Sequence, residues 1–448
     1  DIDESKLNGQ SGPSTLAIWD SLAMLNIVSA IENKFDFVID LDDMISITCI
    51  DDIVDIIKNK SPNSSVPLSL KKQNQLDLSS FRIPNKFISG TNTIDEIQNY
   101  IENKTVIIIG SGKYADSINS KISELLSNLR IGIDYIVCKK EAGEPTDEKI
   151  DVLISKITFI PNIIVGIGGG SVLDTCKFVY TKLSYPKSSL QDWSKPFSLP
   201  NPTKKIKLIS IPTTHGTGSE VSSAGVLSND FYGKSITLSH QYISDIVIHD
   251  PNLLIDLPIN IAIDSTLDAF THAIEGYLSK IVNERVYPLV IESISLLMKC
   301  IGNKKDFSDV QSKGEMLWAS YLAGIIQNYC SVGLCHSLAH QLSRFGISHG
   351  RLNGIFLPKV LSYNYSMDNT AMNKLARDIG LVNGQNIISW LKDVQIEYNI
   401  KGLSNNFDLT TDSEFELLCK DIKSDITYAT TPYSIENNHL INMINDSI

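Results

Sequence analysis

Four histidines and one aspartate in the second half of the chain have the types and spacing of a metal site. Asp268 and His272 stand four residues apart, as do His336 and His340, and His349 follows next to a glycine. On a helix, residues four apart share one face and can meet one ion. One Asp and three His would form a mixed oxygen and nitrogen site for a divalent first-row metal, with a position left for a substrate oxygen. The alternative is that these histidines lie on a helix surface or cap a helix.

Two segments rich in glycine and hydroxyl groups follow apolar runs and predict a dinucleotide site. In IIVGIGGGSVLDTCK (163–177) an apolar strand leads through glycines into a helix, which aims backbone N–H groups and a positive helix end at a diphosphate. In IPTTHGTGSEVSSAGVL (211–227) the hydroxyls suit hydrogen bonds to a ribose or to the nicotinamide amide. Alone, the first segment could be a tight strand-to-helix turn and the second a threonine-rich loop.

Length and composition limit the classes of protein that this chain can be. Its 448 residues predict two or three domains, and its 42% hydrophobic content without a long apolar run predicts a globular protein with no membrane span. A net charge of −12 argues against nucleic acid as a partner, because phosphate neutralisation needs clustered Lys and Arg. Seven scattered cysteines without a C-x-x-C pair indicate neither a disulfide framework nor a zinc ribbon, so we expect a cytoplasmic protein.

The chain divides into four parts by charge and by the period of its apolar residues. Residues 1–60 hold twelve Asp and Glu against four Lys, which predicts a separate acidic unit, and the Ser-, Asn- and Pro-rich residues 61–84 predict a flexible linker. Residues 85–250 alternate short β-branched runs with amphipathic stretches, the pattern of a mostly parallel α/β sheet in a Rossmann-like nucleotide-binding domain. Residues 251–448 have helical spacing almost throughout, which predicts an all-α metal-binding catalytic domain.

The acidic unit resembles the acyl or peptidyl carrier protein family. The sequence WDSLAMLNIVSAIE (19–32) places Asp-Ser-Leu at the head of an amphipathic helix. The resemblance implies that Ser21 carries 4'-phosphopantetheine in a small helical bundle, and the helix dipole there would favour a phosphodiester. About twenty residues precede Ser21, fewer than the family's first helix and loop occupy, so we expect the first helix to be missing. The alternative is an N-capping serine on an acidic docking module.

Residues from about 85 to 448 resemble the iron-containing (group III) alcohol dehydrogenase family. They contain, in the family order, GGGSVLDTCK, PTTHGTGSE, LDAFTHAIEGY, an H-x-x-x-H pair and HG. The resemblance implies that the metal ligands are Asp268, His272, His336 and His349, and that His340 lies near the nicotinamide without being a ligand. It implies cofactor-binding residues that are Gly168, Gly169, Gly170, Ser171 and Asp174 in a diphosphate loop, Thr213, Thr214, Thr217 and Ser222 in a second loop, and Lys234 near the ribose.

The resemblance also implies the reaction. We expect hydride transfer from NADH or NADPH to an aldehyde polarised by Fe²⁺ or Zn²⁺, with His340 or a water chain through it supplying the proton. Gly110 stands where NAD-preferring members often place an acid, so NADP is not excluded. The interval from His336 to His349 is one residue shorter than in the members compared, which should bend the loop before His349.

The carrier unit raises the question of the substrate. An upstream acyl-activating enzyme and a phosphopantetheinyl transferase would be its partners, and the dehydrogenase would take either a released aldehyde at high local concentration or a carbonyl still on the arm. We also expect a homo-oligomer. Two alternatives remain open: a metal- and NAD-dependent cyclase resembling dehydroquinate synthase, against which His272 argues, and a carrier or docking protein with a degenerate dehydrogenase half.

Overall fold

A six-stranded, all-parallel sheet forms the centre of the first large unit. The computed structural model describes residues 47–60, 82–111, 134–141, 143–187, 196–202, 205–229, 233–302, 309–400 and 411–447, with isolated residues elsewhere. The sheet strands are β1 (Lys86–Ser89), β2 (Thr105–Ile109), β3 (Tyr135–Lys139), β4 (Ile163–Gly168), β5 (Lys207–Pro212) and β8 (Ile246–His249). Their order across the sheet is β1-β8-β5-β4-β2-β3.

The central strands are apolar throughout because both of their faces are covered. Every residue of β2 and β4 is buried, as expected for a parallel sheet between two layers. Helices α2 (Asp147–Ser155) and α3 (Gly170–Ser184) pack on one face, and the helical unit extends the core on the other. A two-stranded antiparallel hairpin, β6 (Ala224–Asn229) and β7 (Gly233–Leu238), follows β5.

The strand order predicts where a ligand binds. The chain passes from β2 to β3 on one side and then returns to β4 on the other side of β2. In parallel α/β sheets the crevice at such a reversal, outside the carboxyl ends of the strands, is the ligand site. Gly110 follows β2, and the predicted diphosphate loop follows β4, so the loop lies at this reversal.

The second large unit is helical among the described residues. Its helices are α4 (Ile259–Leu278), α5 (Tyr287–Ile301), α6 (Val310–Cys330), α7 (Leu334–Leu342), α8 (His349–Met367), α9 (Thr370–Asp378), α10 (Gly384–Glu397), α11 (Asp412–Ser424) and α12 (Asn437–Asn445). The predicted order of the two units, a parallel α/β unit followed by a helical unit, is confirmed. Helix α4 is buried along most of its length and packs against α5, α6 and α8, which places it at the centre of the unit.

The acidic N-terminal part is described only around one helix. Helix α1 (Ile50–Lys60) begins after Thr48, whose N–H and hydroxyl both donate to Asp52 at 2.7 Å. Ile53 and Ile56 are buried in a small apolar cluster. Ser21, the predicted phosphopantetheine site, lies outside the described residues, so the carrier bundle stays a prediction. Among the helices of the described ranges, none has the length and apolar character needed to cross a membrane.

Candidate active site

The two predicted cofactor loops lie side by side at the carboxyl ends of neighbouring strands. Gly168 at the end of β4 is in register with Pro212 at the end of β5. The N–H of Thr213 donates to the carbonyl of Gly168 at 3.1 Å, which joins the loops directly. The side chain of Thr214 lies close to Gly169. The two loops therefore lie next to each other at this edge of the sheet.

Helix α3 starts inside this loop pair. Gly169 is its N-cap residue and offers no side-chain cap, and Gly170 and Ser171 are in the first turn. The first N–H groups of a helix lack partners within the helix and carry its positive end, so this turn is suited to a diphosphate. A Cβ on Gly170 would lie 2.6 Å from Cγ2 of Thr217. A glycine at this position is therefore what allows the second loop to close on the helix start.

Asp174 and Ser222, predicted to face the cofactor, lie in the buried interior. Asp174 accepts hydrogen bonds from the Ser219 hydroxyl at 2.6 Å and from the Val226 N–H at 3.2 Å. It also forms a salt bridge with the buried Lys177 at 3.3 Å. The Ser222 hydroxyl accepts from the N–H of Ala224. Asp174 therefore holds Ser219 of the second loop against α3. Lys234 belongs to β7, and its side chain lies outside the described residues.

The second loop is also held between α4 and α6. His215 Nε2 contacts the carbonyl of Ala262 at 3.1 Å and the hydroxyl of Thr266 at 3.0 Å. Since a carbonyl only accepts, Nε2 carries the proton. Gly218 has a φ of 55°, and a Cβ there would lie 2.6 Å from Cα of Gly324 in α6. The loop that is predicted to hold the nicotinamide end therefore contacts the helix that carries Asp268.

Three of the four predicted metal ligands form one cluster. Ligand atoms of Asp268 on α4, His336 on α7 and His349 at the start of α8 all lie within 4.8 Å of one another. His336 Nε2 is 3.9 Å and His349 Nε2 is 3.5 Å from Asp268 Oδ1. Asp268 and His336 are buried, whereas His349 is partly exposed. The cluster is therefore open on the His349 side.

His272, the fourth predicted ligand, lies beside this cluster. Its ring stacks on that of His336 with the centroids 4.5 Å apart. The side chain is buried, and among the described residues its Nδ1 has no hydrogen-bond partner. A buried ring nitrogen without a protein partner needs a water or an ion.

Glu275, which the sequence analysis did not single out, fixes the orientation of His336. Its carboxylate accepts the ring Nδ1–H of His336 at 2.7 Å and the backbone N–H groups of Gly333 and Cys335 at 2.9 and 2.7 Å. Glu275 therefore both orients the His336 ring and caps the start of helix α7. Glu275 follows His272 by three residues in LDAFTHAIEGY, so helical spacing could have revealed it.

The protonation of His336 suits a ligand. Burial lowers the pKa of His336 well below its usual range, so the ring is neutral. With its proton on Nδ1, the lone pair is on Nε2, the atom that faces Asp268. Burial raises the pKa of Glu275 to about 7, although three backbone N–H groups act in the opposite direction.

Asn353 supports the carboxylate ligand in the same way. Its Nδ2 donates to Asp268 Oδ1 at 2.7 Å and lies 3.5 Å from His336 Nε2. Asn353 is fully buried and stands four residues after His349 on α8. This i, i+4 spacing from His349 is a second signal in the sequence that indicates a residue of the site.

His349 is positioned by the start of α8. Ser348 donates to Asp264 at 2.8 Å, and Arg351 forms a salt bridge with the same carboxylate at 2.7 Å. The 3-10 turn Ser343–Phe345 that follows α7 ends at Gly346, whose φ is 80°. After this turn His349 reaches Asp268; that the interval is shorter than in relatives stays a prediction.

His340 lies next to the cluster without belonging to it. Its ring stacks on that of His349 with centroids 5.1 Å apart and 17° between the planes. Its Nδ1 is 3.0 Å from Asp425 Oδ2. Asp425 is 85 residues away along the chain, so no spacing in the sequence could have indicated this pair.

The donor set fits a divalent transition metal. Two imidazole nitrogens and one carboxylate face each other, and the unpartnered His272 stands beside them. The imidazole of His336 is held by the buried Glu275, and the carboxylate of Asp268 is held by the buried Asn353. Such supporting hydrogen bonds are typical of metal ligands. Imidazole and carboxylate suit iron and zinc alike.

Comparisons with known proteins agree with this geometry. The family model for iron-containing alcohol dehydrogenase matches residues 84–251, and that for the C-terminal part of Fe-containing alcohol dehydrogenases matches residues 262–441. An alcohol dehydrogenase of Thermococcus barophilus is 30% identical over 339 residues, which cover 70% of this chain and 88% of that protein. An NADPH-dependent butanol dehydrogenase of Clostridium saccharobutylicum is 26% identical over 314 residues, 68% of this chain and 79% of that protein.

A solved structure shows the same fold. The iron-containing alcohol dehydrogenase of Thermococcus thioreducens superposes with a TM-score of 0.74 at 26% identity, covering 82% of this chain and 99% of that one. Both halves of the family pattern are therefore present, in order, around a cluster of the expected donors. The chain belongs to the iron-containing alcohol dehydrogenase family and is an NAD(P)-dependent oxidoreductase.

Proposed function

We propose that this protein reduces an aldehyde to a primary alcohol with NADH or NADPH, and that the reaction takes place at the Asp268, His336 and His349 cluster. The cluster carries the proposal, because its three ligand atoms lie within 4.8 Å of one another. The second cofactor loop touches the same helix, since His215 contacts Ala262 and Thr266 on α4. Asp268 follows Thr266 by two residues, so hydride donor and acceptor would meet near α4.

The residues of the chain have separate tasks in this reaction. Asp268, His272, His336 and His349 would hold the divalent ion, which, when bound, supplies Lewis-acid polarisation of a carbonyl. Glu275 keeps Nε2 of His336 as the ligating nitrogen. His340, stacked on His349, is the group placed to exchange a proton with the substrate oxygen.

The choice between NADH and NADPH depends, in this proposal, on the residues that directly follow β2. Gly110 places no carboxylate after β2, and the neighbouring Ser111 hydroxyl is buried without a partner among the described residues. An acid there would favour the free ribose hydroxyl of NAD and repel a 2'-phosphate. The relative from Clostridium saccharobutylicum is named as NADPH-dependent. We therefore expect NADPH to bind at least as tightly as NADH.

We also propose that residues 1–60 are a carrier unit that delivers the carbonyl substrate. The support is the sequence around Ser21 and the acidity of this part of the chain. A transferase would attach the phosphopantetheine arm to Ser21, and an acyl-activating enzyme would load it with an acyl group as a thioester. The aldehyde for this site would then be either released from that thioester by a separate reductase or a further carbonyl on the acyl chain still attached to the arm. Reduction of the thioester itself is disfavoured here, because all seven cysteines are buried and burial raises the pKa of Cys335 well above its usual range.

The reductase proposal is tested on the full chain reconstituted with Fe²⁺ or Zn²⁺. With butanal as the probe, we expect metal-dependent consumption of reduced nicotinamide, its loss on chelation and its return when metal is added. His336→Ala should lose both bound metal and turnover, whereas His439→Gln, an exposed histidine on α12, should keep both. Turnover that survives chelation and His336→Ala would contradict the proposal.

The carrier proposal has its own test. Incubation with coenzyme A and a broad-specificity phosphopantetheinyl transferase should add one phosphopantetheine per chain by mass spectrometry, and Ser21→Ala should block it. If wild-type protein remains unmodified, also when extended upstream, the unit is a docking module. If the wild-type protein is modified, the rates of reduction of free and of arm-bound carbonyl substrates can be compared.

A further inference from the structure

The pair formed by His340 and Asp425 has the geometry of a fixed histidine–carboxylate dyad. His340 Nδ1 lies 3.0 Å from Asp425 Oδ2, and both side chains are 8% exposed. His340 is on α7, whereas Asp425 caps the 3-10 turn Ile426–Thr430 that follows α11. The contact therefore joins the proposed proton-exchanging residue to the last part of the chain.

The Asp425 carboxylate is held independently of His340. Its Oδ1 accepts the N–H of Thr427 at 3.0 Å and the hydroxyl of Thr427 at 2.7 Å. Its Oδ2 accepts a hydrogen bond from Gln341 Nε2 at 3.4 Å, in addition to the contact with His340 Nδ1. Burial raises the pKa of Asp425, but His340 and the Thr427 hydrogen bonds outweigh it, so the pKa lies below its usual value. Oδ2 is thus a fixed, ionised acceptor.

An ionised acceptor determines the tautomer of His340. A carboxylate cannot donate, so the proton of the neutral ring is on Nδ1 and the lone pair is on Nε2. The stacking on His349 sets the plane of the ring, at 17° to that of His349. Both the rotation of the ring and the atom that exchanges protons are therefore decided by neighbours of His340.

We propose that Asp425 is a positioning residue that holds His340 with Nε2 presented to the substrate hydroxyl. This inference rests on the proposed function. In alcohol oxidation the O–H bond breaks and its proton passes to His340 Nε2, while hydride leaves the carbinol carbon for C4 of NAD(P)⁺. The alcohol is oxidised and the nicotinamide is reduced. In the reduction of an aldehyde both transfers run in reverse, and Asp425 stabilises the imidazolium that donates the proton.

The variant Asp425→Asn separates the positioning of His340 from the capping of the 3-10 turn Ile426–Thr430. The Asn Oδ1 can still accept from Thr427, but Nδ2 would donate to His340 and force the proton onto Nε2. We expect kcat to fall by about 10²–10⁴-fold, the range for loss of acid–base catalysis or of its orienting carboxylate. The KM for NADPH and the bound zinc should stay unchanged. Asp421→Asn, on α11 and paired with Arg344 at 3.6 Å, is the matched control and should behave as wild type.

A spectroscopic readout does not depend on turnover. In the ¹⁵N histidine spectrum of the zinc-loaded protein at pH 8, the signal that disappears in His340→Gln should show the Nδ1–H tautomer. It should change to the Nε2–H tautomer in Asp425→Asn. A wild-type signal of the Nε2–H form overturns the proposal, even if Asp425→Asn fails to fold.

A double variant tests whether Asp425 acts through His340. Adding Asp425→Asn to His340→Gln should lower kcat by less than about twofold further, because the residue it positions is already gone. Equal losses in both backgrounds, or wild-type kcat in Asp425→Asn, would overturn the inference. A wild-type enzyme that reduces no aldehyde but shows the expected tautomer would contradict the proposed function and leave the positioning by Asp425 supported.

Discussion

The cofactor loops are positioned by backbone and small side chains, whereas the metal cluster is positioned by buried carboxylates and amides. Gly170 touches Thr217, and Gly218 touches Gly324, at distances where a Cβ would not fit. At the cluster, Glu275 orients His336 and Asn353 orients Asp268 by hydrogen bonds of 2.7 Å. The first region should therefore respond to added volume, and the second to a loss of charge or of a hydrogen-bond acceptor.

The largest expected effect is at the metal side of this comparison. Glu275→Gln keeps the shape of the side chain but removes the charge that accepts from His336 and three backbone N–H groups. We expect the affinity for Zn²⁺ or Co²⁺ to fall by about 10- to 100-fold, the usual cost of losing such a supporting group. Titration against a metal-binding dye measures it.

A second variant, Glu292→Gln, is the control for this metal titration. Glu292→Gln, an exposed residue of α5 that accepts from Trp318, should bind metal as wild type does. Dinucleotide affinity should be unchanged in both variants. An unaltered metal affinity in Glu275→Gln would mean that His336 is oriented without its carboxylate partner.

The next effect is at the cofactor side and should depend on volume alone. In Gly170→Ala the new Cβ would lie 2.6 and 2.8 Å from Cγ2 and Oγ1 of Thr217. Overpacking of this kind costs about 1–3 kcal/mol, so dinucleotide affinity measured by calorimetry should fall by about tenfold. Metal content should be unchanged, which is the opposite result to that of Glu275→Gln.

Gly314→Ala provides the comparison for this variant. It adds the same methyl group in α6, where the nearest atom is Cγ of Pro251 at 3.3 Å. It should leave both affinities at the wild-type level. If Gly170→Ala binds dinucleotide normally, the close contact of the two loops is not part of the cofactor site.

The smallest effect is expected at His215, which joins the two regions. Burial lowers the pKa of His215 to about 3, whereas the unfolded chain titrates near its ordinary value of about 6.5. The unfolded state therefore binds more protons below that pH, and the free energy of unfolding should fall as the pH drops from about 6.5 towards 4.

His215→Gln should remove this part of the pH dependence. At pH 7 it should cost about 1 kcal/mol, because the hydrogen bonds to Ala262 and Thr266 are lost or weakened. The difference from wild type should shrink or reverse as the pH falls, in urea titrations repeated at each pH. His439→Gln is the matched control. A constant difference from pH 7 to pH 4.5 would show that His215 is not buried in the neutral form.

The elements that could be predicted from the sequence are those with a strong local pattern. TVIIIG and NIIVGIGGG form β2 and β4, and KLISIPTT forms β5, because continuous β-branched runs fit strands covered on both faces. The spacing of His336 and His340 corresponds to α7, and that of Asp268 and His272 to α4. The order of the strands and the hairpin β6-β7 follow from pairing between distant segments, which no local period reports.

The same distinction explains what was missed at the site. Glu275 and Asn353 share helix faces with predicted ligands and were accessible to spacing arguments. Asp425 meets His340 only through the packing of the C-terminal helices. The motif that placed Asp174 in the diphosphate loop could not show its partners, Ser219 and Val226, because they are on the next loop and strand. Spacing finds residues on one element, and tertiary contacts determine which of them face the ligand.

The central claim is that one divalent ion is held by Asp268, His336 and His349, with His272 as the fourth ligand. Crystals of the zinc-loaded protein, measured at the zinc absorption edge, test it directly by anomalous scattering. We expect a single strong peak, at about 2.0–2.2 Å from a carboxylate oxygen of Asp268 and from a ring nitrogen of each of the three histidines. The absence of a peak at this cluster, or a peak ligated by other residues, would contradict it.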